Sequence, residues 1–300
     1  MRRLLAIAAV LLAVTSAAVG ATITPTEPVA PLTLTGPLLA GAPPSPQPPH
    51  QVTVKAATRS YPWHSNIVAT SFWVGELFND KVSDGSQVCS TYDSKWALHW
   101  SGISTGKVPS KASGCPGSPS GGCDGIAGSK GSCKTEARHE SNGWFPSKVT
   151  PKENPFYLDL PYDDVNDSKA FKARCTDIPW SGDAGFTGKC KDKNFTFMKN
   201  RWVRMVGPNG HTCYGQIEDA GPSHGSLYHD AKYVFGASDA RPVQTQFNHA
   251  GADVSPALNG CLGFKELDGD TDHIKWQWVD DADVPAGPWT KVITKSGFTP

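Results

Sequence analysis

The stretch from Arg201 to Pro222 constrains this chain most. Arg201-Trp202-Val203-Arg204-Met205-Val206 reads as a strand, and Pro208-Asn209-Gly210 as a turn. The chain then returns through Thr212 to Ile217 with alternating apolar and polar side chains, the period of a strand with one covered face. Asn-Gly supplies the positive φ angles of a tight hairpin turn, so the two stretches are expected to pair antiparallel. The second strand runs into Glu218-Asp219, and Gly221-Pro222 stops it. Further on, Asp253 precedes Val254-Ser255-Pro256-Ala257-Leu258. Ser255 is placed to cap a short helix there, and Pro256 occupies a position that helices tolerate. The expectation is that the fold brings Asp219 and Asp253 to one groove.

The remaining signals are also those of a β protein. Ile67 to Gly75 is rich in β-branched and aromatic residues and reads as the first strand, followed by Glu76, Asp80 and Asp84. Phe156 to Leu160 alternates between Pro155 and Pro161, which predicts a short edge strand. Asp167-Ser168 predicts the cap of a brief helix over Lys169 to Arg174. Leu267 to Asp270 reads as a turn, and Ile274 to Val279 as a last alternating strand. There is no βαβ rhythm, internal repeat, coiled coil or nucleotide loop. Ten tryptophans and thirty glycines fit a loop-rich β protein with exposed rings.

The N-terminal residues bound where such a domain works. Arg2 and Arg3, the apolar run from Leu4 to Val14, and Val19-Gly20-Ala21 read as a secretory signal over residues 1–21, with Thr22 as the mature N-terminus. Residues 22–60 carry a run of prolines from Pro25 to Pro49 and are expected to be a disordered, extended tether. Residues 61–300 are then one domain, its core mostly in 195–282. Formal net charge is +0, which gives no electrostatic case for nucleic acid or acidic lipid. No later stretch has the length of a membrane span. A secreted, extracellular monomer is expected. Eight cysteines behind a secretory signal imply a disulfide framework. Proximity favours Cys123 with Cys133, Cys175 with Cys190, Cys89 with Cys115, and Cys213 with Cys261. The last pair would clamp the two acid-bearing segments together. No CxxC pair occurs and the histidines are scattered, so no metal and no cofactor is expected.

Two carboxylates across a cleft suit glycosidic bond cleavage, one protonating the leaving oxygen and the other activating water or attacking carbon. Asp219 at a strand end, half exposed, is one candidate; an Asp before Gly-Pro is also a common turn former. Asp253 is the second, and an Asp before a helix is also a common cap. Glu76 and Glu218 are further acid candidates. Trp73, Trp96, Trp100, Trp144, Tyr157 and Trp276 are candidates for a sugar platform or for the core. Asp268 to Asp272 resembles the start of a calcium loop, but His273 stands at the glycine place and Val279 at the last ligand place. Arg138-His139-Glu140 is a lesser candidate. Asn166-Asp167-Ser168 and Asn194-Phe195-Thr196 are glycosylation sequons.

Trp202 to Val206, Asn209-Gly210, Gly215 to Pro222 and Asp253 to Ala257 together resemble the double-psi β-barrel superfamily. That group includes rare lipoprotein A, the first domain of expansins, barwin proteins and family-45 endoglucanases. The Asp-Arg-Gly-Pro and Asp-Leu-Ser segments of rare lipoprotein A have counterparts in Asp219-Ala220-Gly221-Pro222 and Asp253-Val254-Ser255. Leu267 to Val279 is similar to the end of barwin domains. The resemblance spans roughly Lys199 to Val279, with a weaker match at Ala69 to Trp73. It implies a mainly β fold: a six-stranded double-psi β-barrel with long disulfide-stapled loop insertions, few short helices and an open polysaccharide groove. Asp253 would take the place of the acid in expansins and endoglucanases. Asp219 would match the partner aspartate of expansins and rare lipoprotein A.

Two departures follow. Family-45 endoglucanases carry their base in a Thr-Arg-Tyr-Trp-Asp strand, and here Thr70-Ser71-Phe72-Trp73-Val74 puts valine at that place. Glu76, two residues on, would share its face if the strand continues. The histidine that rare lipoprotein A carries ahead of Leu-Pro has no match in Tyr157 to Pro161. The implied function is action on a cell-wall polysaccharide, expansin-like or weakly glycosidase-like, with Asp219 and Asp253 as the acidic floor. Trp73, Tyr157, His249 and Ser255 would contact substrate. The alternative is a non-catalytic, barwin-like carbohydrate-binding or defence protein.

Overall fold

A computed structural model describes residues 59–76, 87–102, 122–127 and 133–300. The expected leader and all but the last two residues of the tether lie outside the described residues, as do 103–121 and 128–132 of the Gly- and Ser-rich insertion. The strands are β1 (His64–Ser71), β2 (Ile126–Ala127), β3 (Cys133–Lys134), β4 (Tyr157–Leu160), β5 (Trp202–Val206), β6 (Thr212–Ala220), β7 (Ala252–Val254) and β8 (Asp272–Val279). Six of them close into a barrel in the order β1-β7-β4-β6-β5-β8, while β2 and β3 pair alone. Within the barrel, β1 with β7 and β4 with β6 run parallel, and the other neighbours antiparallel. This closed mixed barrel is compatible with a double-psi barrel. Its strands are not confined to 195–282, because β1 and β4 come from upstream.

The hairpin forms between β5 and β6, from Trp202 opposite Gln216 to Val206 opposite Thr212. Its turn differs from the expected one. Gly210 has φ +80°, whereas Asn209 is not among the positive-φ residues. Asn209 acts through its side chain instead: Oδ1 accepts from His211 N–H at 2.9 Å, and Nδ2 donates to the Cys261 carbonyl at 3.1 Å. β4 differs more. It is no edge strand but lies between β6 and β7, with all four residues buried. A closed sheet has no edge, and Pro155 and Pro161 sit just outside the strand, where they remove no ladder bond.

Leu158, Val203, Met205, Ile217, Val254, Leu258 and Ile274 belong to the main core. Of the proposed sugar-platform rings, Trp276 is also in that core. Trp96 and Trp100, from α1 (Trp96–Ser101), and Tyr157 lie in a second core with Phe72 and Val74. These four rings are fully buried, because a barrel this small must fill its flanks with its largest side chains.

The helix α2 (Ser168–Asp177) starts at Asp167, whose carboxylate accepts from Lys169 and Ala170 N–H. After α3 (Ala231–Val234), α4 (Pro256–Leu262) follows β7, and Ser255 Oγ accepts from Leu258 N–H at 3.2 Å. Gly215 lets α4 close on β6, since a Cβ there would lie 2.8 Å from Leu258 Cδ1 and 2.9 Å from Leu158 Cδ2.

Disulfides join Cys123 to Cys133, Cys175 to Cys190 and Cys213 to Cys261. Cys89 is also disulfide-bonded, and Cys115, its expected partner, lies outside the described residues. Cys213–Cys261 ties β6 to α4 across 48 residues, and Cys175–Cys190 spans 15. Chain entropy makes the longer link the more stabilising by about 1 kcal/mol. Replacing Cys213 and Cys261 by Ala is therefore expected to lower the unfolding free energy by about 4 kcal/mol. Replacing Cys175 and Cys190 is expected to cost about 3 kcal/mol. Urea unfolding of the two variants checks the order, and a reversal would show that loop length does not set it.

Candidate functional site

The site is built by register. Thr70 of β1 stands opposite Asp253 of β7, Asp253 opposite Asp159 of β4, and Asp159 opposite Asp219 of β6. Residues directly paired across strands project to the same face, so these four side chains form one row over four neighbouring strands. A bulge makes the row possible. Leu158 pairs with Ile217 and Asp159 with Asp219, so Glu218 has no partner on β4. Without that extra residue Glu218 would oppose Asp159, and Asp219 would turn to the other face. Asp219 and Asp253 are two strand spacings apart, roughly 10 Å between backbones.

The row floors a groove of about 920 Å³. Glu76, Asp159, Asp163, Asp219, Asp253 and Asp268 line it, with many hydroxyl and amide side chains and no Lys or Arg among the described residues. Asp159 is 4% exposed, and its Oδ1 has no hydrogen-bond partner. Asp253 is half-buried, and its Oδ1 is likewise unpartnered. Asp219 Oδ1 accepts from Thr91 N–H at 2.7 Å and Ala220 N–H at 2.8 Å. Gly221 makes room for Asp159: a Cβ there would come within 2.8 Å of its Oδ2.

Burial and mutual repulsion keep protons on these acids. Burial, then the charges of Asp253 and Asp219, push Asp159 well above the usual carboxylate range. Burial also raises Asp253 to about 8 and Asp219 to about 7, the two N–H bonds holding Asp219 lower. Burial and the neighbouring Asp253 raise Glu76 to about 9. Glu76, Asp159 and Asp253 are thus mostly neutral at neutral pH, the state that a general acid requires, while Asp219 is about half ionised.

Asp219, Asp253 and Glu76 all line the groove. Asp219 is 7% exposed rather than half exposed, because β6 continues past it to Ala220. Asp253 is not a cap, since Ser255 fills that role. Glu76 does not arrive by strand alternation. β1 ends at Ser71, and a turn with Gly75 at φ +87° and Glu76 N–H bonded to the Trp73 carbonyl carries it there. Val74 is fully buried in the second core.

The other expected contacts lie elsewhere. Glu218 is buried outside the groove, its carboxylate 3.9 Å from Lys199 Nζ. Tyr157 is buried, its OH donating to Asp124 Oδ2 at 2.8 Å and accepting from Val74 N–H at 3.0 Å. Ser255 is buried at its helix cap. Trp73 is half-buried and outside the groove lining, its Nε1 directed at the Cys133 carbonyl. His249 lines a separate cleft with Arg241 and His273. Arg138 is buried in an ion pair with Asp124, which also accepts from the Tyr157 hydroxyl of β4.

Sequence reasoning missed Asp159, Asp163 and Phe247. Asp159 was visible as the one charge inside the apolar run Phe156 to Leu160. Phe247 had no signal. Phe247, Asn248 and His249 all have positive φ, at 51°, 53° and 60°, without a glycine among them. That left-handed turn is costly, of order 1–3 kcal/mol per residue. Asn248 Nδ2 bonded to the Asp270 carbonyl at 2.9 Å helps hold it. It leaves Phe247 53% exposed as part of the groove lining. Phe298 and Thr299 line the groove too, pinned by Thr299 N–H on the Tyr92 carbonyl and Ser94 N–H on the Thr299 carbonyl.

Among the described residues no group of three or more His, Cys, Asp or Glu is arranged to hold a metal ion. No helix there is long and apolar enough to cross a membrane. No family model, curated protein or solved structure matches the chain.

The raised acids make stability depend on pH with a definite sign. Each binds its proton more tightly folded than unfolded, so its contribution is full below the unfolded value near 4 and is lost as pH rises through 7 to 9. Each group lowers the unfolding free energy by up to about 1.4 kcal/mol per pH unit in that window. Tm measured by circular dichroism should fall steadily from pH 5 to pH 9, and Asp159→Asn should flatten the fall. A Tm that is constant or rising over this range would mean that the cluster ionises freely.

Proposed function

We propose that this is a secreted protein of the double-psi β-barrel superfamily that acts on a cell-wall polysaccharide in the groove above Asp159. The observation that carries the reading is the row Asp253–Asp159–Asp219 on adjacent strands, at the floor of a groove large enough for sugar rings. The lining supports it as well: hydroxyl and amide groups match a hydroxyl-rich chain, and Phe247 offers an apolar face on which a pyranose can stack. Disulfides fit an oxidising, extracellular setting.

Asp253 is the proton donor in this reading, because burial leaves it protonated near neutral pH while one oxygen faces no partner. Asp219 ionises before it, since two backbone N–H groups stabilise its charge, and so serves as the base. A backbone separation of roughly 10 Å is nearer the wide carboxyl spacing of inverting hydrolases than the narrow one of retaining enzymes, with the water held above Asp159. Asp159 lies between them, and their charges help to keep it protonated. The second reading is non-hydrolytic binding or wall loosening. It is favoured by Val74, buried where an endoglucanase would present its base.

Release of reducing ends from cellulose, chitin and peptidoglycan separates the two readings. With hydrolysis, Asp253→Asn should lower the rate by about 100-fold or more with the fold intact. Asp219→Asn should lower it too. No release from any of the three by the parent protein, together with retention on the insoluble polymer, would leave the binding reading.

A further inference from the structure

The groove carries information about the charge of its ligand. Six carboxyl groups line it, and no Lys or Arg among the described residues balances them. The other titratable side chains of the lining are His224 and Tyr228. Elsewhere buried acids lie beside cations: Asp124 with Arg138, Asp164 with Arg174, and Glu218 with Lys199 at 3.9 Å, the last without a hydrogen bond. In the groove two carboxylate oxygens, Asp159 Oδ1 and Asp253 Oδ1, are buried without any hydrogen-bond partner. Leaving such an acceptor unpaired is costly, and a donor brought by a ligand would complete it.

Resting on the polysaccharide reading, we infer that the groove takes a cationic glycan, a chain of amino sugars with free rather than acylated amines, seating an ammonium group between Asp159 and Asp253. An ammonium group offers three donors and a positive charge to two buried, unpartnered carboxyl oxygens in a lining that carries six carboxyl groups and no cation among the described residues. A uronate, sulfate or phosphate would meet six carboxyl groups and no cation. A metal ion is the other guest for such charge, but the side chains do not converge as a ligand set. The hydroxyl-bearing walls and the exposed Phe247 ring suit sugar rather than a basic peptide. As the ammonium group enters, it favours the ionised form of the carboxyl groups beside it, and a proton leaves Asp159 or Asp253 for solvent.

Isothermal titration of the intact protein at pH 6 tests this with four probes. These are a glucosamine hexasaccharide, its fully N-acetylated counterpart, cellohexaose and a lysine hexapeptide. The glucosamine chain should bind at least tenfold more tightly than each of the others. It should also release protons, read by repeating the titration in buffers of different ionisation enthalpy. Asp159→Asn and, independently, Asp268→Asn should each lower the ratio of glucosamine-chain to cellohexaose affinity. Equal affinity for the three sugars would overturn the inference while leaving the polysaccharide reading standing. Binding of none of them would overturn both. Equal binding of the peptide, or a preference unchanged in both variants, would also overturn the inference, because the charge would then be read outside this groove.

Discussion

The register of β4 against its two neighbours is the constraint on which the site depends. β4 has only four residues, yet it touches β6 on one side and β7 on the other. One of its residues, Asp159, is thereby set against an aspartate on each side. Three carboxyl groups meet in a place that none would occupy alone. Ionised together in a buried site they would repel strongly, and the fold tolerates them because protons remain on most of the set. The barrel is thus built with an electrostatic conflict at its floor, and closure of the sheet holds the conflict in place.

Several devices keep that short strand from slipping. The bulge at Glu218 permits only one pairing to continue past Leu158. Tyr157 is fixed at its hydroxyl by Asp124 and Val74, so the strand is gripped two residues before the central acid. Gln216, opposite Tyr157 on β6, bonds through its side chain to Asn154, Asn200 and Thr294, which locks the chain entering β4 to the segment near residue 294. Gly221 holds the space into which the Asp159 carboxyl fits. Each is a short-range contact, but together they define a long-range geometry.

What was legible in the sequence was what local chemistry decides. The β5–β6 hairpin follows from alternation and a glycine turn, the α4 start from Ser255 and Pro256, and three disulfides from proximity along the chain. Asp219 and Asp253 were legible as a pair because a strand stop and a helix start mark their positions. β4 was misplaced at an edge because its flanking prolines are local, whereas its two neighbours lie more than fifty residues downstream. Glu218 and Asp219 were not separable, since a bulge depends on the partner strand and leaves no mark on its own. Tyr157 and the buried tryptophans carried no sign of which side of the sheet would be filled. Phe247 was invisible because its conformation opposes the preference of its residue type, and only surrounding contacts impose it.

The segment that closes the groove wall at Phe298 and Thr299 bears on how this protein can be handled. Pro300 also lines the groove, so a peptide fused directly after it in a recombinant preparation would begin at the groove wall. A histidine tag placed there would bring imidazoles to a cluster of acids, competing with the ligand and shifting every titration measured. Preparations carrying the tag at the other end, or removing it, are the ones whose chemistry belongs to the protein itself.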